Sequence, residues 1–353
     1  GDEFVVLLED INHPDDAARI AEAIVLELEK PFILGKTNEV YIGVSIGISL
    51  FPEHANSVSL LMDHADMALY QAKDNGRGCY SFFSESLTDI IRDRLKLEAD
   101  LRLAIKQQEL RVYYQPQVDI VTGDIIGAEA LVRWQTADKG LITPSSFIPI
   151  AEETGLILDI GEWVLKETCR QGQEWLQAGF APIILAVNVS AHQFKRSNMH
   201  NVVQNALAST GFPAEQLELE MTESSLMAQE ETIVELLNDL RSLGILLAID
   251  DFGTGYSSLA YLKGFPLDTL KIDKSFIDDI PHDTGGVEIT KAINALGHTL
   301  GFKVLAEGVE NQQQLDFLQA IGCDTYQGYI KSKPLPADEF VSLLSMKNTN
   351  THL

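Results

Sequence analysis

Short apolar runs alternate with longer amphipathic segments through the last two thirds of the chain. After residue 109 the apolar runs are RVYYQPQV, DIIGAEALVRW, IILAVNVS, QLELEMTES, GILLAIDD, LDTLKID, KVLAEGV and CDTYQGY. Helical periodicity fills most of the intervals, at 158–178, 230–243, 287–300 and 311–321. Such alternation predicts βα units around a parallel sheet. Eight units over roughly 240 residues favour a TIM-like (β/α)8 barrel.

The first two strands of this barrel are joined by a turn. Only DIVTGD lies between them, with Thr122-Gly123-Asp124 at the reversal. A parallel crossover needs about a dozen residues or more, so this connection is too short for one. The sequence therefore predicts one antiparallel strand pair within the barrel.

A second alternating pattern occupies residues 1–84. FVVLLE and VYIGVSIGISLF predict strands, while HPDDAARIAEAIVLELE and SLLMDHADMALYQAKDNG predict helices. Because the pattern starts at a strand, we expect the upstream half of this partial α/β domain to lie outside the sequence. Apolar positions among alternating charges then predict a connector helix over 85–108, which leaves 109–353 for the barrel. A solvated interdomain helix and a dedicated signalling element both fit this connector.

Composition narrows the class of protein. Hydrophobic residues make up 45% of the chain and charged residues 22%, as in folded soluble proteins. The formal net charge of -26 argues against binding long nucleic acid over a broad basic surface. Cys79, Cys169 and Cys323 are dispersed and suit neither a disulfide framework nor a zinc site. This use of cysteine leads us to expect a cytoplasmic location. No apolar run reaches the ~18 residues of a membrane helix, and a membrane anchor could lie outside this chain.

Polar side chains recur where the predicted strands end. A lone acid at such a position is more often a cap or an ion-pair partner, but recurrence at consecutive strands favours a shared site, because barrel strands end at one mouth. Oxygen ligands favour Mg2+ or Mn2+ over zinc or copper. Asp250 and Asp251 repel each other unless cations lie between them, so the pair could bind two ions, as in phosphoryl transfer. The positions are Glu129, Asn188, Glu220, Asp250, Asp251, Lys271, Glu307 and Gln327.

The barrel segment resembles the EAL family of cyclic di-GMP phosphodiesterases. Glu129-Ala130-Leu131 is the tripeptide that names the family, and NVS, ELEMTES, DDFGTGYSSLAYL, LKIDKSFI, LAEGVE and QGY follow in the family's order between residues 98 and 344. The resemblance implies a barrel with one antiparallel strand. It also implies hydrolysis of cyclic di-GMP to linear pGpG with two Mg2+ or Mn2+ ions.

The same resemblance implies a role for each polar position. One ion would be held by Glu129, Asn188, Glu220 and Asp250, and the second by Asp250, Asp251 and Glu307. Glu129, Lys271 and Glu307 would form the catalytic set, with Lys271 orienting the attacking water and Glu307 acting as general base as well as ligand. Gln327 would hydrogen-bond within the cluster.

Further residues would bind substrate or support the site. Arg133 would contact a substrate phosphate, and Gln115 and Leu131 would line the same mouth. Glu223 would anchor the loop after Asp251, through which the family couples dimer contacts to metal binding, so a homodimer is expected. Two departures from the family pattern, Met221 and Lys331, remove no ligand, and retention of the ligand set favours an enzyme over a nucleotide sensor.

The first segment resembles the carboxyl half of a GGDEF diguanylate cyclase domain. GDEF at residues 1–4, VSIGIS and ADMALYQAKDNGRG carry this resemblance. Cyclase activity is not expected of this part alone, and Asp2 and Glu3 would have family roles only in a full-length protein. Two alternatives stay open for the barrel: a non-hydrolysing cyclic di-GMP sensor regulated by the adjacent GGDEF domain, and an enzyme for another phosphodiester.

Overall fold

The computed structural model describes residues 3–9, 11, 13–34, 38–136, 138, 140–196, 198–227, 230–254 and 262–345. Contacts divide the chain into two compact units, 1–99 and 100–353. The division falls inside one helix, α3, which spans Glu85–Gln107. The domain limits of 84 and 108 remain a prediction.

The described residues of the first unit form two small sheets and two helices besides the start of α3. Its elements are α1 (Pro14–Leu28), β1 (Phe32–Leu34), β2 (Asn38–Val40), β3 (Ile46–Ile48), α2 (Val58–Asp74) and β4 (Tyr80–Phe82). β1 and β2 pair antiparallel, and β3 and β4 pair parallel. Ala17 and Ala21 of α1 pack on Ile48 and Leu50 to form a small core.

The predicted strand FVVLLE is wrong for the residues described. Residues 4–9 have no regular secondary structure, and Phe4 is 88% exposed. β-Branched residues favour a strand only where a neighbouring strand accepts their backbone hydrogen bonds and covers their side chains. No such neighbour is present among the described residues. The prediction for VYIGVSIGISLF holds only for Val40 in β2 and for β3.

The second unit is a closed barrel surrounded by helices. Its strands and helices are β5 (Leu110–Asp119), β6 (Ile125–Thr136), β7 (Gly140–Ile142), α4 (Pro144–Thr154), α5 (Ile157–Gln177), β8 (Ile184–Asn188), α6 (Ala191–Arg196), α7 (Met199–Thr210), β9 (Leu217–Thr222), α8 (Glu223–Met227), α9 (Glu230–Ser242), β10 (Leu246–Phe252), β11 (Thr269–Ile272), α10 (Thr284–Leu300), β12 (Lys303–Ala306), α11 (Gln312–Ala320), β13 (Thr325–Gln327), β14 (Leu335–Pro336) and α12 (Ala337–Ser345). Eight strands close in the order β5-β13-β12-β11-β10-β9-β8-β6, and β6 returns to β5. The predicted TIM-like barrel is confirmed.

The predicted antiparallel pair is also confirmed, between β5 and β6. β5 pairs antiparallel with β13 as well, since a strand that is reversed relative to the seven other strands of the closed barrel must be antiparallel to both of its neighbours in the barrel. The other barrel pairs are parallel.

Alternation along each strand separates the barrel interior from the helical layer. Tyr114 of β5 packs its ring against Trp175 of α5, and Trp134 of β6 packs against Phe147 of α4. The intervening residues of these strands therefore face the barrel axis. β9 shows why polar residues reach the interior: its sequence LELEMT sends leucines and Met221 to the helices and two glutamates to the axis, all of them buried.

Among the described residues, none of the helices combines the length and apolar character needed to cross a membrane.

Candidate active site

The ammonium group of Lys271 lies at the centre of a group of carboxylates. Lys271 sits in β11 and has no exposed surface. Its Nζ lies 2.7 Å from Glu307 Oε1, 2.8 Å from Glu220 Oε2, 3.1 Å from Asp250 Oδ1 and 3.9 Å from Glu129 Oε2. Four residues separated by up to 178 positions in the sequence thus meet at one point, as the strand-end pattern predicts.

A chain of amide side chains orients Glu129. Asn188 donates a hydrogen bond from Nδ2 to Glu129 Oε1 at 2.6 Å, and Gln327 donates from Nε2 to Glu129 Oε2. Gln327 Nε2 also reaches Gln115 Oε1 at 3.2 Å, and Gln115 Nε2 lies 3.4 Å from the carbonyl of Ser332. Both carboxylate oxygens of Glu129 are therefore fixed by neutral donors.

Asp250 and Asp251 occupy the end of β10, where the strand is irregular. The pairing with β11 shifts register between Ile249 and Phe252, and Asp251 has φ of 54°. Its backbone N–H donates to Asp250 Oδ1 at 2.9 Å. The bend turns two consecutive side chains toward the mouth, whereas a regular strand would send one to each face. One carboxylate oxygen from each of Asp250, Asp251 and Glu307 lies within 4.8 Å of the others.

Burial and crowding shift the acidities of this group. Burial raises the pKa of Glu307 to about 8, and it raises the pKa of Glu220 well above its usual value. Burial, with Asp250 beside it, also raises the pKa of Asp251. For Lys271, burial opposes the charge, but the surrounding carboxylates outweigh it and raise its pKa.

The position of Glu129 differs from the expected strand end. It lies mid-way along β6, which continues to Thr136. Its parallel pairing with β8 nevertheless stops at Ala130, so Glu129 stands where the closed part of the barrel ends. Leu131 and Arg133 lie further along the same face of β6. The guanidinium of Arg133 is 5.8 Å from the centre of the Tyr113 ring. Burial lowers the pKa of Arg133.

Glu223 lies outside the carboxylate group, directly after β9. It is buried, and its Oε2 accepts the N–H of Gly253 at 2.9 Å. This bond ties the start of α8 to the turn that follows Asp251. The remainder of the predicted loop, from Gly255 to Tyr261, lies outside the described residues, as does Asp2 of the first unit.

Sequence reasoning missed Gln117 and Glu218. Gln117 Nε2 lies 3.5 Å from Glu220 Oε1, and Glu218 accepts a hydrogen bond from Thr269 Oγ1 at 2.7 Å. Burial raises the pKa of Glu218. Both lie two residues from a predicted site residue on the same strand, so the period of two could have indicated that they share its face.

The donor set fits divalent cations. It consists of carboxylate and amide oxygens, which are ligands for Mg2+ and Mn2+. Five carboxylates and the Lys271 ammonium carry a formal charge of about -4, which two divalent ions would neutralise. Gln327 Oε1 is buried without a hydrogen-bond partner among the described residues, so it has a free lone pair near Glu129.

Comparison with known proteins agrees with this geometry. The EAL domain family matches residues 98–334, and the family described as "Diguanylate cyclase, GGDEF domain" matches residues 1–79. The chain therefore belongs to the EAL domain family and carries part of a GGDEF domain before it.

Individual relatives are similar over nearly the whole chain. The bifunctional diguanylate cyclase/cyclic di-GMP phosphodiesterase MucR of Pseudomonas aeruginosa is 45% identical over 342 residues, covering 97% of this chain and 50% of MucR. The cyclic di-GMP phosphodiesterase PdeR of Escherichia coli is 37% identical, covering 96% of this chain and 51% of PdeR. The chain spans about half the length of these curated relatives.

A solved structure, "PaMucR Phosphodiesterase, c-di-GMP complex", is 46% identical with a TM-score of 0.68. The match covers 69% of this chain and 99% of that one.

Proposed function

We propose that the barrel hydrolyses one phosphodiester of cyclic di-GMP to give linear pGpG, with two Mg2+ or Mn2+ ions. The observation that carries this proposal is the convergence of Glu129, Glu220, Asp250 and Glu307 on the Lys271 ammonium. Similarity to MucR, PdeR and the MucR complex with cyclic di-GMP supports the substrate.

The residues divide into two ligand groups. Glu129, Asn188, Glu220 and Asp250 would hold one ion, and Asp250, Asp251 and Glu307 the other. When bound, such ions polarise a phosphodiester and activate water. Asn188 and Gln327 fix the carboxylate of Glu129, so its oxygens need little rearrangement to become ligands.

The remaining side chains would orient the attacking water, accept its proton and bind the substrate. The Lys271 ammonium would orient the attacking water and oppose the negative charge that develops on the phosphate. Glu307 Oε1, 2.7 Å from Lys271 Nζ, would accept the proton of that water. Arg133 would hold a phosphate by its guanidinium, while Gln115, Leu131 and Gln327 would line the substrate side of the mouth.

The test is turnover of cyclic di-GMP by the purified chain. We expect pGpG with Mg2+ or Mn2+, no product with EDTA, and no measurable turnover after Glu129→Ala. Glu162→Ala, which removes an exposed glutamate from α5, is the matched control and should keep full activity. Absence of pGpG with either ion would reject the proposal, and binding of cyclic di-GMP without turnover would instead assign the barrel to the sensor alternative.

We also propose a homodimer whose contacts act on the site through Glu223. Its bond to the Gly253 N–H links the end of β9 to the turn after the two aspartates. Glu223→Gln should weaken metal-dependent turnover, and sedimentation should show a dimer. A monomer with full activity would contradict this part of the proposal.

A further inference from the structure

Two arginines face each other across the first two strands of the barrel. Arg111 of β5 is directly opposite Arg133 of β6 in the antiparallel register. The next pairs on the same face are Tyr113 with Leu131 and then Gln115 with Glu129. The pair of arginines thus lies on the face that carries the active-site residues, four residues or about 13 Å of strand beyond Glu129.

Like charges at directly opposed positions destabilise a sheet. Acidic residues are abundant enough in this chain to give each arginine an ion-pair partner. It contains 52 acidic and 26 basic residues. Arg19, Arg92, Arg94, Arg170 and Arg241 each form an ion pair. Among the described residues, neither Arg111 nor Arg133 has a carboxylate within 4.0 Å, although Arg133 is half-buried.

Each guanidinium is positioned by its own strand. Arg111 Nη1 donates to the carbonyls of Gln108 and Leu110, both at 2.7 Å, and Arg133 Nη1 donates to the carbonyl of Val132 at 2.8 Å. These bonds use one nitrogen of each group. The other nitrogens have no acceptor among the described residues, so each guanidinium keeps donors for a ligand. An anion between them would turn the repulsion into two attractive contacts.

We propose that Arg111 acts with Arg133 to bind the phosphodiester of cyclic di-GMP that is not being cleaved. This inference rests on the proposed function. A cyclic dinucleotide carries two phosphodiester anions, and only one of them can lie at the carboxylate group around Lys271. In the proposed binding mode the second lies along the wall formed by β5 and β6, which carries the arginine pair. Arg111 is therefore a specificity-determining residue that favours a substrate with two phosphates.

Steady-state kinetics of Arg111→Ala test this role. We expect KM for cyclic di-GMP to rise about tenfold, since one charge-assisted contact is lost at an exposed site, while kcat stays within about twofold. Bis(p-nitrophenyl) phosphate has a single phosphodiester, so its kcat/KM should not change. Arg111→Lys should restore part of the affinity, because it keeps the charge but not the planar fork. Arg170→Ala, which removes an arginine from the outer face of α5, should behave as wild type.

A double-mutant cycle distinguishes binding of one phosphate by both arginines from two independent contacts. If both arginines bind one group, Arg111→Ala and Arg133→Ala should raise KM for cyclic di-GMP by less in combination than the product of their single effects. An unchanged KM in Arg111→Ala, or an equal loss on bis(p-nitrophenyl) phosphate, overturns the inference.

The same measurements distinguish a failure of the arginine pair from a failure of the proposed function. If wild type cleaves cyclic di-GMP and Arg111→Ala does so with the same KM, only the inference is lost. If wild type does not cleave it, titration calorimetry in EDTA still decides: weaker binding of cyclic di-GMP by Arg111→Ala than by wild type supports the arginine pair, and equal binding or no binding by wild type rejects it.

Discussion

At the scale of the residue, Lys271 balances charges that would otherwise be costly to bury. Glu220 has no exposed surface, and its Oε2 lies 2.8 Å from the Lys271 ammonium. Removing one partner of a buried ion pair leaves the other without compensation, typically at a cost of about 3–5 kcal/mol. Divalent ions at the same carboxylates would supply an alternative compensation.

Lys271→Met should therefore make stability depend on metal. We expect the barrel to lose about 3–5 kcal/mol in EDTA and to regain a large part of it with Mn2+, while kcat falls about 100-fold or more. Urea unfolding with and without Mn2+ measures the first effect, and the cyclic di-GMP assay measures the second. Lys303→Met, at an exposed lysine of β12, is the control. A loss of stability that Mn2+ does not change would contradict the expectation.

The site positions on parallel strands could be predicted because their ends must meet at one mouth. Asn188, Lys271 and Gln327 all stand at or next to the last residue of a strand. The position of Arg111 could not be predicted in this way, because β5 runs antiparallel to its neighbours and its residues at the mouth come before its interior residues. Its place opposite Arg133 depends on the register with β6, which the turn at 122–124 does not reveal by itself.

At the scale of the element, the loop after β12 is held on several sides. Gly308 has φ of 70°, and a Cβ there would lie 2.3 Å from Lys274 Cγ. Lys274 Nζ reaches Glu310 Oε1 at 2.7 Å. On the other side Gln314, buried at the start of α11, accepts the N–H of Glu310 at 2.8 Å and donates to the carbonyl of Ile277 at 2.9 Å. These contacts fix the backbone next to Glu307.

Gly308→Ala should displace this loop and lower activity. The left-handed conformation alone costs a residue with Cβ about 1–2 kcal/mol, and the clash with the Lys274 stem adds a shift beside Glu307. Gly301→Ala provides a matched control, because Gly301 has φ of 84° but no atom within 4 Å of the added Cβ. We expect both variants to lose stability by thermal unfolding and only Gly308→Ala to need more Mn2+ for half-maximal turnover. Equal Mn2+ requirements would contradict a role of this loop in the site.

The elements of the barrel follow from its pattern more closely than those of the first unit. The predicted helix 158–178 is α5, and 230–243 is α9, because each buries one stripe against a complete sheet. FVVLLE has as high a strand propensity as the barrel strands, but no neighbouring strand among the described residues pairs with it. Propensity therefore predicts a strand only when the rest of its sheet is present.

At the scale of the whole molecule, the excess of acidic residues lowers the stability of the folded state. With a formal net charge of -26, the excess acidic side chains repel one another in the compact state. Salt screens this repulsion over a Debye length of about 10 Å at 0.1 M. The effect is general and does not require a specific ion site.

The melting temperature should therefore rise as NaCl increases from about 0.01 to 0.3 M. Calorimetry in EDTA measures this effect without any contribution from divalent ions. The same charge predicts no retardation of long duplex DNA at physiological salt. A melting temperature that falls with salt, or a stable DNA complex, would show that local charge pairs outweigh the net charge.

The buried lysine also bears on the order in which the protein would fold and bind metal. With Lys271 as an internal counterion, the strands can assemble before any metal arrives, because the acids already have a positive partner when the barrel closes. If the carboxylates bind metal as proposed, metal loading would follow folding and could be reversed without unfolding. Scarcity of Mg2+ or Mn2+ would then leave a folded protein without bound ions, and resupply would restore them.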